Sequence, residues 1–424
     1  MDTSFPFVHF DPWLERAAAL RPERIALETA GARVPYGELL ERARGAAAAL
    51  AARGVARGDR VAIALPPGVD FVAALHGCLL LGAAAVPVDP RLGARERAPL
   101  LAAASTVVDA PPAAGGVPPP FVPDEDDVAL VVHTSGTTGA PRPVALTFGN
   151  VQANALGCAV ALGLDSSERW LCPLPLAHVG GLMVLLRSAI YGTTAVLDGV
   201  EALDRVTIAS LVPTQLARVA GAAPPPGLRV VMLGGAGADR GLLARAADAG
   251  WPVAPTYGLT QACSAVTVAE PGDLESSGRP LPGVRVTVAG DGEILVEGPT
   301  VAGGGVLRTG DLGRLDERGR LVVAGRKMDT IVTGGENVAP AEVEAVLLEH
   351  PAVADAGVFA RPHPEWGEAV TARVVLRAGA LASPEDLRAF AAERLARFKV
   401  PKAVELADAL PRTVSGKLLR RELR

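Results

Sequence analysis

The segment Thr134-Ser-Gly-Thr-Thr-Gly-Ala-Pro-Arg142 gathers two glycines and four hydroxyl side chains into one loop. It follows an apolar run, Val128 to His133, that reads as a buried strand. Glycines let backbone N–H groups converge on phosphate oxygens, and hydroxyls add donors or hold a magnesium ion. The loop lacks the GxxxxGK[ST] spacing of a Walker loop. Taken alone, it reads equally well as a flexible Ser/Thr/Gly turn.

Other segments carry the same ambiguity. Pro255-Thr-Tyr-Gly-Leu-Thr-Gln261 follows a strand, Arg308-Thr-Gly-Asp311 opens a hairpin, and Gly325-Arg-Lys-Met-Asp329 closes one. Thr330 to Glu344 (TIVTGGENVAPAEVE) comes next, and Pro411-Arg-Thr-Val-Ser-Gly-Lys417 lies near the end. Each has a purely structural reading as a turn or a capped helix start; their order is harder to assign to chance. Only four lysines occur, at 327, 399, 402 and 417, and arginine supplies the positive charge elsewhere. A lysine kept in such a chain suggests that a compact ammonium is wanted where the wide guanidinium fork would not serve.

The elements that must position these groups alternate. Tyr36 to Arg53 reads as an Ala-rich helix closed by Gly54, Asp59 to Leu65 as a buried strand, Val69 onward as a helix, and Ala85 to Val88 as a strand. Such alternation argues for a parallel sheet. Ala110 to Asp127 is Pro/Gly-rich and then acidic, which reads as a surface loop. Further strands are expected at Leu228 to Leu233 and Val253 to Pro255. From Val284 the pattern becomes short alternating strands with glycine turns, as in a small antiparallel barrel or sheet. After Arg326 a self-contained unit is expected: a helix at Pro340 to His350, strands at Ala356 to Phe359 and Ala372 to Leu376, and a helix at Ser383 to Leu395. The fold class is therefore α/β: a large N-terminal domain of residues 1–326 with a barrel-like subdomain, and a small α+β domain of residues 327–424, divided at Arg326 to Asp329.

The 424 residues exceed one compact core, and 49% hydrophobic with 21% charged residues is a globular balance. A formal net charge of −5 without a basic stripe gives no reason to expect nucleic acid. The apolar stretch from Phe71 is interrupted by His76 and reads as a buried helix running into a strand, not a membrane span. Cys78, Cys158, Cys172 and Cys263 form no CxxC pair and read as small buried hydrophobes. With no signal-peptide pattern, a cytoplasmic location is expected. A homodimer is compatible with the sequence but not specified by it.

In order and content, these motifs resemble the adenylate-forming superfamily of acyl- and aryl-CoA synthetases, nonribosomal adenylation domains and luciferases. The resemblance runs from about Trp13 to Lys417. It implies that a carboxylic acid is activated with ATP and Mg²⁺ as an acyl-adenylate and passed to a thiol, here coenzyme A. Thr134, Ser135, Gly136, Thr137, Thr138 and Gly139 would cradle the β- and γ-phosphates, with Arg142 keeping a charge where lysine is usual. Gly234, Gly235, Ala236, Thr256, Tyr257 and Gly258 would line the adenine pocket. Asp311 would accept hydrogen bonds from the ribose diol, assisted by Arg326. Thr260 would contact the α-phosphate, and Lys417 would bridge it to the substrate carboxylate. Thr138 and Gln261 would face the metal, while Gly334, Gly335 and Trp366 resemble the lining of a pantetheine path; Trp366 reads equally as a core anchor. The small domain would swing about Arg326 to Asp329 between the two half-reactions.

The chain departs from that pattern in places. Gln261 stands where Glu is usual, which removes a charge from the metal site. Pro143 replaces Gly, Phe148 replaces His, Met328 occupies the hinge position, and Ala177 replaces an aromatic residue before His178. Pro173 to Thr194 and Thr256 to Val268 are similar to the o-succinylbenzoate–CoA ligases of menaquinone biosynthesis. That acid carries a ketone and a second carboxylate, so His178, Arg187, Thr214 and Ser264 are the candidate acid-binding donors, with His178 also a candidate at the reaction centre. Arg187 reads equally as a surface residue, and His178 as a packed core residue. Another aryl- or acyl-CoA ligase, an adenylation enzyme that loads a carrier-protein thiol, and a catalytically impaired nucleotide- or acyl-binding relative are the competing readings.

Overall fold

The computed structural model of the chain describes residues 12–112, 115–134, 142–238, 240–333, 336–412 and 418–423. Two sheets form the N-terminal part. The first orders its strands Thr106–Val108, Arg60–Ile63, Ala84–Pro87, Val128–Thr134 and Arg142–Thr147. All pair in parallel except the last, which returns antiparallel. The second has nine strands. Its centre is the parallel run Val253–Leu259, Val230–Leu233, Ile208–Leu211, Arg169–Leu171, Thr194–Leu197 and Ile25–Thr29, with antiparallel strands at both edges.

The apolar runs of the central strands follow from burial on both faces. In Val230–Leu233, Val230 and Met232 face a core shared by the two sheets and the helices Tyr36–Ala52, Val69–Leu80, Phe148–Leu162 and Val179–Tyr191. Val231 and Leu233 face a second core, closed by Leu216 and Leu242 from the helices Pro213–Val219 and Arg240–Asp248. Helix Phe148–Leu162 begins at a reciprocal cap: Thr147 Oγ1 accepts from the Asn150 amide and Asn150 Oδ1 from the Thr147 amide.

Next comes an antiparallel sheet in the order Arg285–Val288, Glu293–Glu297, Val306–Leu315, Leu321–Arg326, an open half-barrel rather than a closed one. After the 3₁₀ turn Lys327–Asp329 the chain builds a separate sheet, Glu336–Val338, Ile331–Thr333, Gly367–Leu376 and Val353–His363, joined by Ala403–Leu406. Helices Pro340–Leu348 and Pro384–Ala392 pack there around a core of their own that includes Val343, Leu387, Val358 and Val374. The fold class is the expected one, a large α/β part followed by a small α+β part.

The local differences have physical causes. Strand Val253–Leu259 runs on through the Thr256-Tyr-Gly segment because Ser264–Val268 pairs with it antiparallel. Asp311 does not open a hairpin. It lies mid-strand in Val306–Leu315, opposite Arg326, beside an irregularity between Leu312 and Gly313. No polar stripe marks helices Phe148–Leu162 and Val179–Tyr191 in the sequence: the second buries nearly its whole surface, and the first exposes apolar Leu156 and Val160.

Candidate active site

Several segments of the sequence reading meet where parallel strands end, the edge at which open α/β sheets bind ligands. Strand Val230–Leu233 leads into Gly234, Gly235 and Ala236, the latter two exposed. Thr256 Oγ1 donates to Leu233 O at 3.2 Å, and a Cβ on Gly234 would lie 2.4 Å from that same Oγ1. A Cβ on Gly258 would come within 2.0 Å of Ser264 O. Glycine at these two positions is therefore a condition of close strand packing.

Thr134 and Arg142 are paired residues at the mouth of the hydroxyl-rich loop, and Thr134 Oγ1 donates to Arg142 O at 3.3 Å. Arg142 is exposed. Ser135, Gly136, Thr137, Thr138 and Gly139 lie outside the described residues, as do Gly334, Gly335 and Lys417. The chain flanking Lys417 is held on both sides. Arg412 pairs with Asp355 at 2.6 Å and bridges Leu418, while Arg420 pairs with Asp329 at 3.0 Å and Glu344 at 2.6 Å.

Tyr257 Oη donates to Asp311 Oδ2 at 2.7 Å, and Arg326 Nε lies 2.7 Å from Asp311 Oδ1. The Thr309 hydroxyl accepts from the Asp311 amide and donates to Ile294 O, which fixes the strand around the carboxylate. Burial first, and the Asp311 charge second, push the Tyr257 phenol up, so it stays a donor.

Thr260, Gln261 and Ala262 form a 3₁₀ turn. Cys263 and Ser264 then take φ of 54° and 89°, left-handed values that non-glycine residues seldom adopt. The Ala302 amide donates to Gln261 O at 2.8 Å, and Asn150 Nδ2 donates to Pro299 O at 2.7 Å, so the turn and helix Phe148–Leu162 grip one loop. Two adjacent strained residues beside a phosphate candidate mark a constrained functional turn. No composition or periodicity signal announces them.

The four acid-site candidates part company here. His178 is exposed at the N-cap of helix Val179–Tyr191, not a packed core residue, and Thr214 is exposed at the start of Pro213–Val219. Ser264 is half-buried. Arg187 is not on a surface face: it is 2% exposed, with its guanidinium carbon 5.5 Å from the Trp170 ring centre. Its Nη2 donates to Asn154 Oδ1 at 2.6 Å. The sequence reading missed Asn154, though an Asn four residues after Asn150 in an apolar segment was a signal. Trp366 is no core anchor. It is half-buried, stacked on His363 at 4.2 Å, with Lys402 Nζ 4.5 Å from its ring centre. All four cysteines are free and buried.

Strand-end glycines, a carboxylate held between a phenol and a guanidinium, and a small C-terminal unit point to one class. The chain is a member of the AMP-binding enzyme family: that family's pattern matches residues 14–109 and 105–304, and the AMP-binding enzyme C-terminal domain matches residues 342–417. Within the class, it is 38% identical to the 2-succinylbenzoate–CoA ligase of Bacillus velezensis, over 97% of each chain. That alignment spans 474 positions, so the relative carries segments without counterpart in these 424 residues. The o-succinylbenzoate CoA synthetase of Bacillus subtilis, in complex with its acyl-adenylate intermediate, superposes with a TM-score of 0.91 at 36% identity over 98% of both chains. The same Bacillus subtilis enzyme with ATP and a magnesium ion gives 0.90 at 36% identity, over 98% of this chain and 100% of that one.

Proposed function

We propose that the chain is an ATP-dependent, AMP-forming ligase that joins 2-succinylbenzoate to coenzyme A for menaquinone biosynthesis. The substrate carboxylate attacks the α-phosphorus of ATP, the bond to pyrophosphate breaks, and an acyl-adenylate forms. The thiol of CoA then attacks the acyl carbon and AMP leaves. In this reading the 134–139 loop and Arg142 hold the phosphates, and Gly234, Gly235, Ala236 and Thr256 to Gly258 hold adenine. Asp311, fixed by Tyr257 and Arg326, accepts the ribose hydroxyls. Thr260 meets the α-phosphate and Lys417 neutralises the charge that accumulates when two anions approach.

Magnesium would shield the pyrophosphate. Gln261, in a 3₁₀ turn held by the Ala302 amide, would offer the ion a neutral oxygen, a donor type that suits a hard cation. A phosphate-bound magnesium needs only one or two protein oxygens, such as Thr138 and Gln261. CoA would reach the site past Gly334, Gly335 and Trp366. The large domain would end and the small one begin at Arg326 to Asp329, where one sheet gives way to the next. We read the enzyme as cytoplasmic and independent of nucleic acid; among the described residues no helix is long and apolar enough to cross a membrane.

The observation that carries the choice of acid is Arg187. A cation that deep, facing a neutral amide, suits an acid with a second carboxylate. CoA ligation measured over a panel of acids tests the reading. Preference for 2-succinylbenzoate is expected; strong preference for a monocarboxylate contradicts it.

A further inference from the structure

Asn154 lies within helix Phe148–Leu162 with no exposed surface. Its Oδ1 accepts from Arg187 Nη2 at 2.6 Å, and its Nδ2 donates to Ala265 O at 2.8 Å. Those two bonds fix the amide. Reversed, it would set NH₂ against guanidinium and carbonyl against carbonyl. Asn154 thus ties the Arg187 guanidinium to strand Ser264–Val268, just past the strained turn that carries Thr260 and Gln261.

Arg187 has no ion-pair partner among the described residues, and its buried Nε has no hydrogen-bond acceptor. The nearby thiols supply no counter-charge, because burial raises both Cys158 and Cys263, the latter to about 12. A buried cation held by one neutral acceptor and the face of the Trp170 ring is expensive, and an apolar side chain of similar volume would be cheaper. The arrangement makes physical sense if the missing anion arrives with the substrate.

We infer that Asn154 is a positioning residue that holds Arg187 for the second carboxylate of a dicarboxylic acid, and that its neutrality leaves the cation free to bind that group. This rests on the functional reading above. A carboxylate at 154 would occupy Arg187 internally and exclude the substrate's own.

The test compares 2-succinylbenzoate with 4-oxo-4-phenylbutanoate, the same keto acid without its ring carboxylate, in the full-length enzyme with ATP and CoA. Asn154→Asp should lower kcat/KM for the diacid roughly 30- to 100-fold, chiefly through KM, while the monoacid changes less than about threefold. Asn154→Ala, which adds no charge, should cost the diacid about tenfold. In an Arg187→Met background the substitutions at 154 should leave the selectivity ratio unmoved. Equal losses on both acids in Asn154→Asp and Asn154→Ala would reduce Asn154 to a packing residue and overturn the inference. So would an unchanged ratio in an enzyme that prefers the diacid. A wild-type enzyme that ligates the monoacid but ignores the diacid contradicts the functional reading and the inference together.

Discussion

The Tyr257 hydroxyl donates to Asp311 Oδ2 at 2.7 Å, joining the nine-stranded sheet to the open half-barrel at the proposed nucleotide site. The bond fixes one carboxylate oxygen while Arg326 fixes the other. Tyr257→Phe should therefore raise KM for ATP about tenfold with little change in kcat, the scale of one hydrogen bond to a charged group. Asp311→Ala should raise it further, since the ribose would lose its acceptor. An unaltered KM for ATP in both variants would remove Asp311 from the nucleotide site.

In the proposed reading, Lys417 separates the half-reactions. Arg412–Asp355 and Arg420–Asp329 secure the chain on either side of the undescribed 413–417 segment, so its loss should not unfold the small domain. Lys417→Ala should depress acid-dependent pyrophosphate exchange by on the order of a thousandfold. CoA thioester formation from supplied acyl-adenylate should stay within severalfold of wild type. Equal loss of both activities would contradict a lysine that acts in adenylation alone.

In the proposed reading, Gln261 would offer magnesium a neutral oxygen where a carboxylate is usual in the superfamily. Its backbone is already held by the Ala302 amide, so substitution should leave the turn intact. Gln261→Glu should lower the magnesium concentration that gives half-maximal rate by roughly threefold to tenfold. A magnesium profile identical to wild type would mean that position 261 makes no metal contact.

His76 gives the fold an acid-sensitive core. It is buried among Leu27, Leu39, Val72 and Leu185, and burial pushes its imidazole down from 6.5 to about 4. The unfolded chain takes up this proton below pH 6.5 and the native one only near pH 4. The stabilisation from the neutral ring is thus complete above 6.5 and lost as pH falls toward 4. Between pH 6.5 and 5 this amounts to about 2 kcal/mol. Urea unfolding at the two pH values should show a smaller loss in His76→Leu than in wild type. An equal loss in both would place the acid sensitivity elsewhere.

The alternation of strands and helices, the small C-terminal unit and most strand cores were legible because their apolar residues are set by burial. Leu228 to Leu233 is expected as a strand from its apolar run, and the structure has Val230–Leu233, buried on both faces. Asp311 was legible as a chemical group but not as a mid-strand residue, because its place depends on pairing with Arg326, which no local pattern encodes. Asn154 escaped notice for a similar reason. Its meaning comes from Arg187, 33 residues away in sequence and 2.6 Å away in the fold. Cys263 and Ser264 take left-handed backbone angles that their side chains do not favour, so only the assembled turn reveals them.

The most direct measurement is pyrophosphate exchange into ATP as a function of the acid supplied. Exchange that is strong with 2-succinylbenzoate, weak with 4-oxo-4-phenylbutanoate and absent without acid is the predicted result. Background exchange with every acid, despite measurable ATP binding, would contradict it and leave an inactive nucleotide-binding relative.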